Sequence, residues 1–313
     1  MIKDIPTEAD FHGSAARFLE TAWSEALGQV EAEKFESEYE DEDTDVAGEV
    51  GAGPDAQNIF SDKSSLAIAY IALYTGVEHL LRASIASVSP FLLLAGDIRS
   101  WPSSTKDVSF ADFKSIEAGE LVRVFDTVCP TRLSPSFIQM YDKIRRKRNS
   151  LIHSHSQELS VIASDLITTI LFATDALVGS QAWFDWRRHR LTAACAHDRF
   201  ASWQFELTKE LDLALRVMGN SPALRHFGID KKRRRYFCPE CLANQTDYER
   251  KTCAYQNEVE GWAHLDRNER TLLKCPICAT KSKVEREKCL EWRRGCKGDV
   301  MFGDWCMTCA RDV

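Results

Sequence analysis

The sequence predicts a mainly α-helical protein: a helical bundle over residues 1–220, then a small cysteine-rich, zinc-binding domain over 236–313. Three observations carry this reading. Apolar residues recur at helical spacing through the first two-thirds of the chain. Gly219, Asn220 and Pro222 bring that pattern to a stop. Nine of the eleven cysteines then fall between Cys238 and Cys309, with paired spacing in "CPEC", "CPIC" and "CMTC".

Each element follows from local pattern. Phe11, Phe18, Leu19, Ala22 and Trp23 share one helical stripe, which predicts a helix over Phe11–Phe35. The stretch over about 36–58 is acidic, then Gly-rich, and reads as a flexible, solvated loop. A Ser-Asp signal opens a long apolar helix over Ser61–Val88, which stops before Pro90. Its wide apolar face places it in the middle of the bundle. Residues Phe91–Phe113 read as loop, and Ser115–Val128 as a helix. After Pro130 and Pro135 another helix starts near Ser136. Glu158–Val178 is rich in β-branched residues, but its length and helical neighbours favour a buried helix. Gln181–Met218 reads as one final long helix, and residues 221–235, ending in "GIDKKRRR", as a basic hinge.

Charge is unevenly spread. The chain carries a formal net charge of -7, which excludes a uniformly basic coat. Residues 231–313 hold 18 Lys+Arg and 13 Asp+Glu, a net of +5, so the remainder sums to -12. No apolar run approaches a bilayer span, and "MIKDIPTEAD" lacks the apolar core of a signal peptide. The expectation is a soluble, cytoplasmic protein without a membrane partner.

In a reducing compartment the cysteine spacing reads as metal binding rather than disulfides. Zinc takes four soft or borderline ligands in a tetrahedron, and a Cys-x-x-Cys turn supplies two. Cys238/Cys241 and Cys275/Cys278, 33 residues apart, predict one closed structural site on a ribbon of two hairpins. Cys289, Cys296, Cys306 and Cys309 form a second candidate set, in which Cys253 or His264 could substitute. Spacing leaves one or two ions open. Lys231, Lys232, Arg233, Arg234 and Arg235 beside the first pair offer five charges for phosphates, with Tyr236 and Phe237 to stack on bases. A basic linker that only aids solubility is the alternative.

A second basic run precedes a histidine: "KIRRKRNSLIH" over residues 143–153. On a helix Asn149 and His153 share a face, whereas Arg148 and His153 stand about 140° apart. Arg148 must reach round, the helix must bend or end, or two copies must face each other. "RNSLIH" has the pattern Arg-polar-x-x-x-His and resembles the catalytic motif of HEPN ribonucleases, helical proteins of toxin and phage-defence systems. "ALYTGVEHLLRAS", on the preceding long helix, is similar to an earlier helix of that family, so the resemblance covers about 61–178. It implies an endoribonuclease acting in a homodimer, with RNA as substrate, a protein activator or antitoxin as partner, and no catalytic cofactor. Arg148, Asn149 and His153 would be catalytic, and Lys143, Arg145, Arg146 and Lys147 would draw in the RNA backbone. Glu78 would pair with Arg148 or orient the site; otherwise it is a surface carboxylate.

Overall fold

The computed structural model describes residues 1–42, 63–96, 99, 101, 107–153, 161–196, 202–244, 261–290 and 295–312. The acidic stretch from 43 onward and Cys253 lie outside these. The chain divides into two compact units, Met1–Trp183 and Phe184–Val313. That division lies well upstream of the boundary at 220 that the helix-stop residues mark.

The first unit is built on helices α1 (Glu8–Glu42), α2 (Lys63–Val88), α3 (Ala118–Val128), α4 (Pro135–His153) and α5 (Ala163–Leu177). Helix α1 starts where Thr7 and Asp10 cap each other: the Asp10 carboxylate accepts from Thr7 N–H at 2.8 Å, and Thr7 Oγ1 accepts from Asp10 N–H at 3.2 Å. At its other end α1 runs on to Glu42, so residues 36–42 continue the helix instead of opening the expected loop. Four glutamates there, good helix formers, carry the backbone past Phe35.

Helix α2 is central, packing along α1 and also against α3, α4 and α5. Leu73, Val77, Leu80, Leu81 and Ile85 are fully buried on it, which agrees with its wide apolar face. At Gly76 the two long helices come so close that an added Cβ would lie 2.6 Å from Leu19 Cγ. Trp23 and Trp183 meet edge-on at 5.5 Å within this core. Helix α4 begins at a Ser-Pro cap, with Ser134 Oγ accepting from Phe137 N–H at 3.2 Å. It buries Phe137, Tyr141 and Ile144. Strands β1 (Ile2–Lys3) and β2 (Val108–Ser109) form a short parallel pair.

The expected single helix over 181–218 is two: α6 (Ala182–Cys195) and α7 (Trp203–Val217). Ser202 starts the second, its hydroxyl accepting from Phe205 N–H at 3.2 Å. The expected hinge begins as a further helix, α8 (Asn220–Phe227), closed by Gly228 in the left-handed region at φ 69°. In the second unit Phe184 packs on Phe227, and the Arg187 guanidinium grips both carboxylate oxygens of Glu210.

The cysteine-rich part carries β3 (Tyr236–Phe237), the short helix α9 (Pro239–Ala243), then β4 (Trp262–Leu265), β5 (Leu272–Lys274) and β6 (Lys281–Lys283). These strands form one antiparallel sheet in chain order. Strands β7 (Met301–Phe302), β8 (Trp305–Cys306) and β9 (Arg311–Asp312) form a second, three-stranded one. No single helix among the described residues is long and apolar enough to cross a membrane.

Candidate metal centres and the basic helix

Local folding brings the cysteines together in two groups of four. Cys238 precedes α9, whose first residue is Pro239, and Cys241 lies one turn on. Cys275 and Cys278 occupy the turn between β5 and β6. The four sulfurs lie within 4.8 Å of one another, with Cys238–Cys278 at 3.6 Å and Cys241–Cys275 at 3.8 Å. Cys289, Cys296, Cys306 and Cys309 make the second group, with Cys289–Cys309 and Cys296–Cys306 both at 3.9 Å. A tetrahedron with zinc–sulfur arms of about 2.3 Å has edges of about 3.8 Å, whereas a disulfide needs about 2 Å. The sulfurs are spaced as metal ligands, and both groups could hold an ion such as zinc. His264 joins neither group; it sits on β4 opposite Lys274.

The first pair therefore opens a helix, and the second supplies the hairpin that both were expected to have. Glycine backs each site. Gly261, at φ 87°, leaves room for Cys241: a Cβ there would meet its sulfur at 2.5 Å. Gly298 does the same for Cys306, at 2.7 Å. Gly298 N–H also points to Cys296 Sγ at 3.3 Å. In the first group, hydrogen bonds among the thiols pull Cys238 and Cys278 below the usual thiol range and push Cys241 and Cys275 above it. Spacing alone did not reveal the Arg188 contribution. Its Nε donates to Ile277 O at 2.7 Å and its Nη2 to Pro276 O at 3.0 Å, so α6 holds the "CPIC" turn.

The basic run after α8 is largely committed within the chain. Lys231 Nζ donates to the α7 end carbonyls of Leu215 and Met218, both at 2.6 Å. Arg233 reaches Asp266 O at 3.4 Å, and Arg234 lies over Tyr236 at 5.6 Å. Arg235 pairs with Asp212 at 2.6 Å and covers the Trp262 ring at 4.1 Å. Lys232 is exposed, whereas Tyr236 is buried and presents no face to a base.

On α4 the candidate catalytic residues divide. Arg148 is half-buried, lies over the Tyr74 ring at 5.4 Å and donates to Asn149 Oδ1 at 3.0 Å. Its buried Nε has no hydrogen-bond partner among the described residues. Tyr74 stacks in turn on Tyr141, whose hydroxyl donates to Ala118 O at 3.1 Å. Burial pushes both phenols up. His153 is exposed on the last described turn. Glu78 accepts two bonds from Arg82, at 2.7 and 3.1 Å, and so serves an ion pair within α2. Arg145 pairs with Asp142, and Lys147 sits over Tyr70 at 5.0 Å. Lys143 and Arg146 are exposed.

Compared with known protein families, curated proteins and solved structures, the chain matches none.

Proposed function

We propose that the protein is a metal-independent endoribonuclease of toxin or phage-defence type, with a HEPN-like site shared between two copies. The observation that carries this is the arrangement on α4: an Arg148 guanidinium held by Asn149 and Tyr74, and an exposed His153 five residues on. RNA supplies its own nucleophile, the 2′-hydroxyl. Imidazole can take that proton and return one to the leaving 5′-oxygen, because its ordinary pKa lies near neutrality. A guanidinium stabilises the added phosphorane charge through its planar donors. One helix turns Arg148 and His153 about 140° apart, and a facing copy supplies the missing partner. The cysteine groups leave no open coordination position for this chemistry, so their metals would be structural.

The test is full-length, zinc-loaded protein with transfer RNA in magnesium-free buffer. Fragments should carry 2′,3′-cyclic phosphate ends, and both His153→Ala and Arg148→Ala should slow cleavage about 100-fold or more. Wild-type protein that leaves RNA intact, or a His153→Ala variant that cuts normally, would overturn the proposal. A non-catalytic adaptor holding nucleic acid or protein is the second reading. It is favoured by Glu78, which accepts from Arg82 instead of Arg148, and RNA binding without cleavage would support it.

A further inference from the structure

Strand register sorts the four-stranded sheet into two faces. Tyr236 pairs with Ala263, and Leu273 with both Leu265 and Ser282; all five are buried and form the core side. Cross-strand partners point the same way and successive side chains alternate. The other side therefore carries His264, Lys274 and Lys281 in one row across β4, β5 and β6, with Lys283 two residues further along the edge strand. Arg235 covers Trp262 on this side, with its charge paired to Asp212.

The arrangement is costly as pure structure. Lys274 and Lys281 stand directly opposite each other, and like charges in that relation destabilise a sheet. Asp266 pairs with Lys274, but Lys281 and Lys283 are exposed and make no ion pair among the described residues. Edge-strand lysines guard against unwanted strand pairing, yet that does not account for Lys274 on the inner strand. His264 feels the same field: burial first, then Arg233 and Lys274, hold its pKa down. Each filled cysteine group would carry about two negative charges, four thiolates around a divalent ion, so two would reduce the +5 of residues 231–313 to about +1, and the case for this face rests on the placement of its lysines rather than on the net charge.

We infer that this outer sheet face binds the phosphate backbone of nucleic acid through Lys274, Lys281 and Lys283. A ligand with repeated point charges suits it better than a protein partner does, because Leu272 and Phe237 are its only accessible apolar side chains and both are partly buried, whereas interface cores are apolar. Trp262 is 3% exposed, which leaves only the partly buried Phe237 and His264 as rings on this side, so contact with phosphates should dominate and depend little on sequence. The inference goes beyond the ribonuclease reading, because it needs no cleavage and no residue of α4.

The experiment is fluorescence anisotropy of full-length, zinc-loaded protein with fluorescein-labelled 20-nucleotide oligouridylate and oligodeoxythymidylate, titrated over a salt series. Lys281→Glu/Lys283→Glu should raise Kd at least about tenfold for both probes and flatten the log–log salt slope by about 1.4, roughly 0.7 per lysine. Lys281→Gln/Lys283→Gln should show the same slope change with a smaller loss of affinity. Arg123→Glu/Arg132→Glu, which changes net charge equally on other exposed residues, should bind as wild type. Zinc content and melting temperature establish that each variant folds. The inference is overturned if wild type binds neither probe, if the lysine variants bind normally, or if the arginine control loses as much. Capture of acidic peptides instead of oligonucleotides would assign the face to a protein and overturn it as well. Binding loss in a protein that never cuts RNA would leave this face standing and remove only the ribonuclease reading; cleavage with unaltered binding would do the reverse.

Discussion

At the scale of single residues, ligand identity and ligand geometry separate. The eight cysteines were legible because thiolates at knuckle spacing have few other uses in a reducing compartment. The first group was legible as a set too, whereas the second stayed open, since Cys253 or His264 could have replaced one of its ligands; the fold brings Cys289, Cys296, Cys306 and Cys309 together and leaves His264 out. The glycines behind the sulfurs were also hidden, because a glycine that makes room looks like any loop glycine. Gly261 tests the point. A methyl there would stand 2.5 Å from Cys241 Sγ, and its φ of 87° strains any other residue. Gly261→Ala should lower bound zinc from two per chain to about one, measured by thiol-modification release with a colorimetric chelator. Two zinc ions retained at wild-type affinity would count against the geometry of the first group. The Lys231–Arg235 run teaches the opposite lesson. Five adjacent cations read as a phosphate grip, yet Lys231 closes the α7 terminus and Arg235 covers Trp262. Sequence shows charge but not the carbonyls and rings that occupy it.

At the scale of elements, helix type was legible and helix continuity was not. Periodicity marks α1 to α5 because each buries one stripe. The stretch from 181 to 218 holds no Pro or Gly to mark a stop, and the cap at Ser202 reveals the new start. The α1–α2 pair offers the sharpest test of packing. Helix α2 has Gly76 where Leu19 of α1 fits against its backbone, and Leu19 is fully buried with no space to yield. Glycine ordinarily weakens a helix interior by about 1 kcal/mol relative to alanine, so Gly76→Ala would stabilise an isolated α2. Overpacking costs about 1–3 kcal/mol and outweighs it here. Gly76→Ala should therefore shift urea unfolding to lower denaturant with the slope unchanged. A double variant, Gly76→Ala with Leu19→Ala, should lose less than the two single effects combined. Additive losses would place the helices farther apart than described.

At the scale of the whole molecule, the two units rest on different sources of stability. The first buries large side chains from four helices against α2, and among the described residues it holds no group of metal-ligating side chains. The second has strands of two to four residues in its cysteine-rich part, too short to hold together through their own ladders. Metal binding to such a module contributes on the order of 10 kcal/mol to folding. Arg188 transmits that dependence to helix α6, because its donors end on the carbonyls of Pro276 and Ile277 between two ligand cysteines. Chelation should thus act on one unit. Hydrogen exchange of the full chain, with and without a strong zinc chelator, should show α1 to α5 keeping their protection. Strands β3 to β9 should lose theirs, and the turns of α6 around Arg188 should lose part. Arg188→Ala should speed exchange in the "CPIC" turn and in α6 while zinc stays bound, because the ligands remain and only the clamp is gone. Protection that persists in β3 to β9 after both ions are removed would show a module held by its apolar core alone. Loss of protection throughout α1 to α5 would instead make the metals a condition for folding the whole chain, and the independence of the first unit would fall.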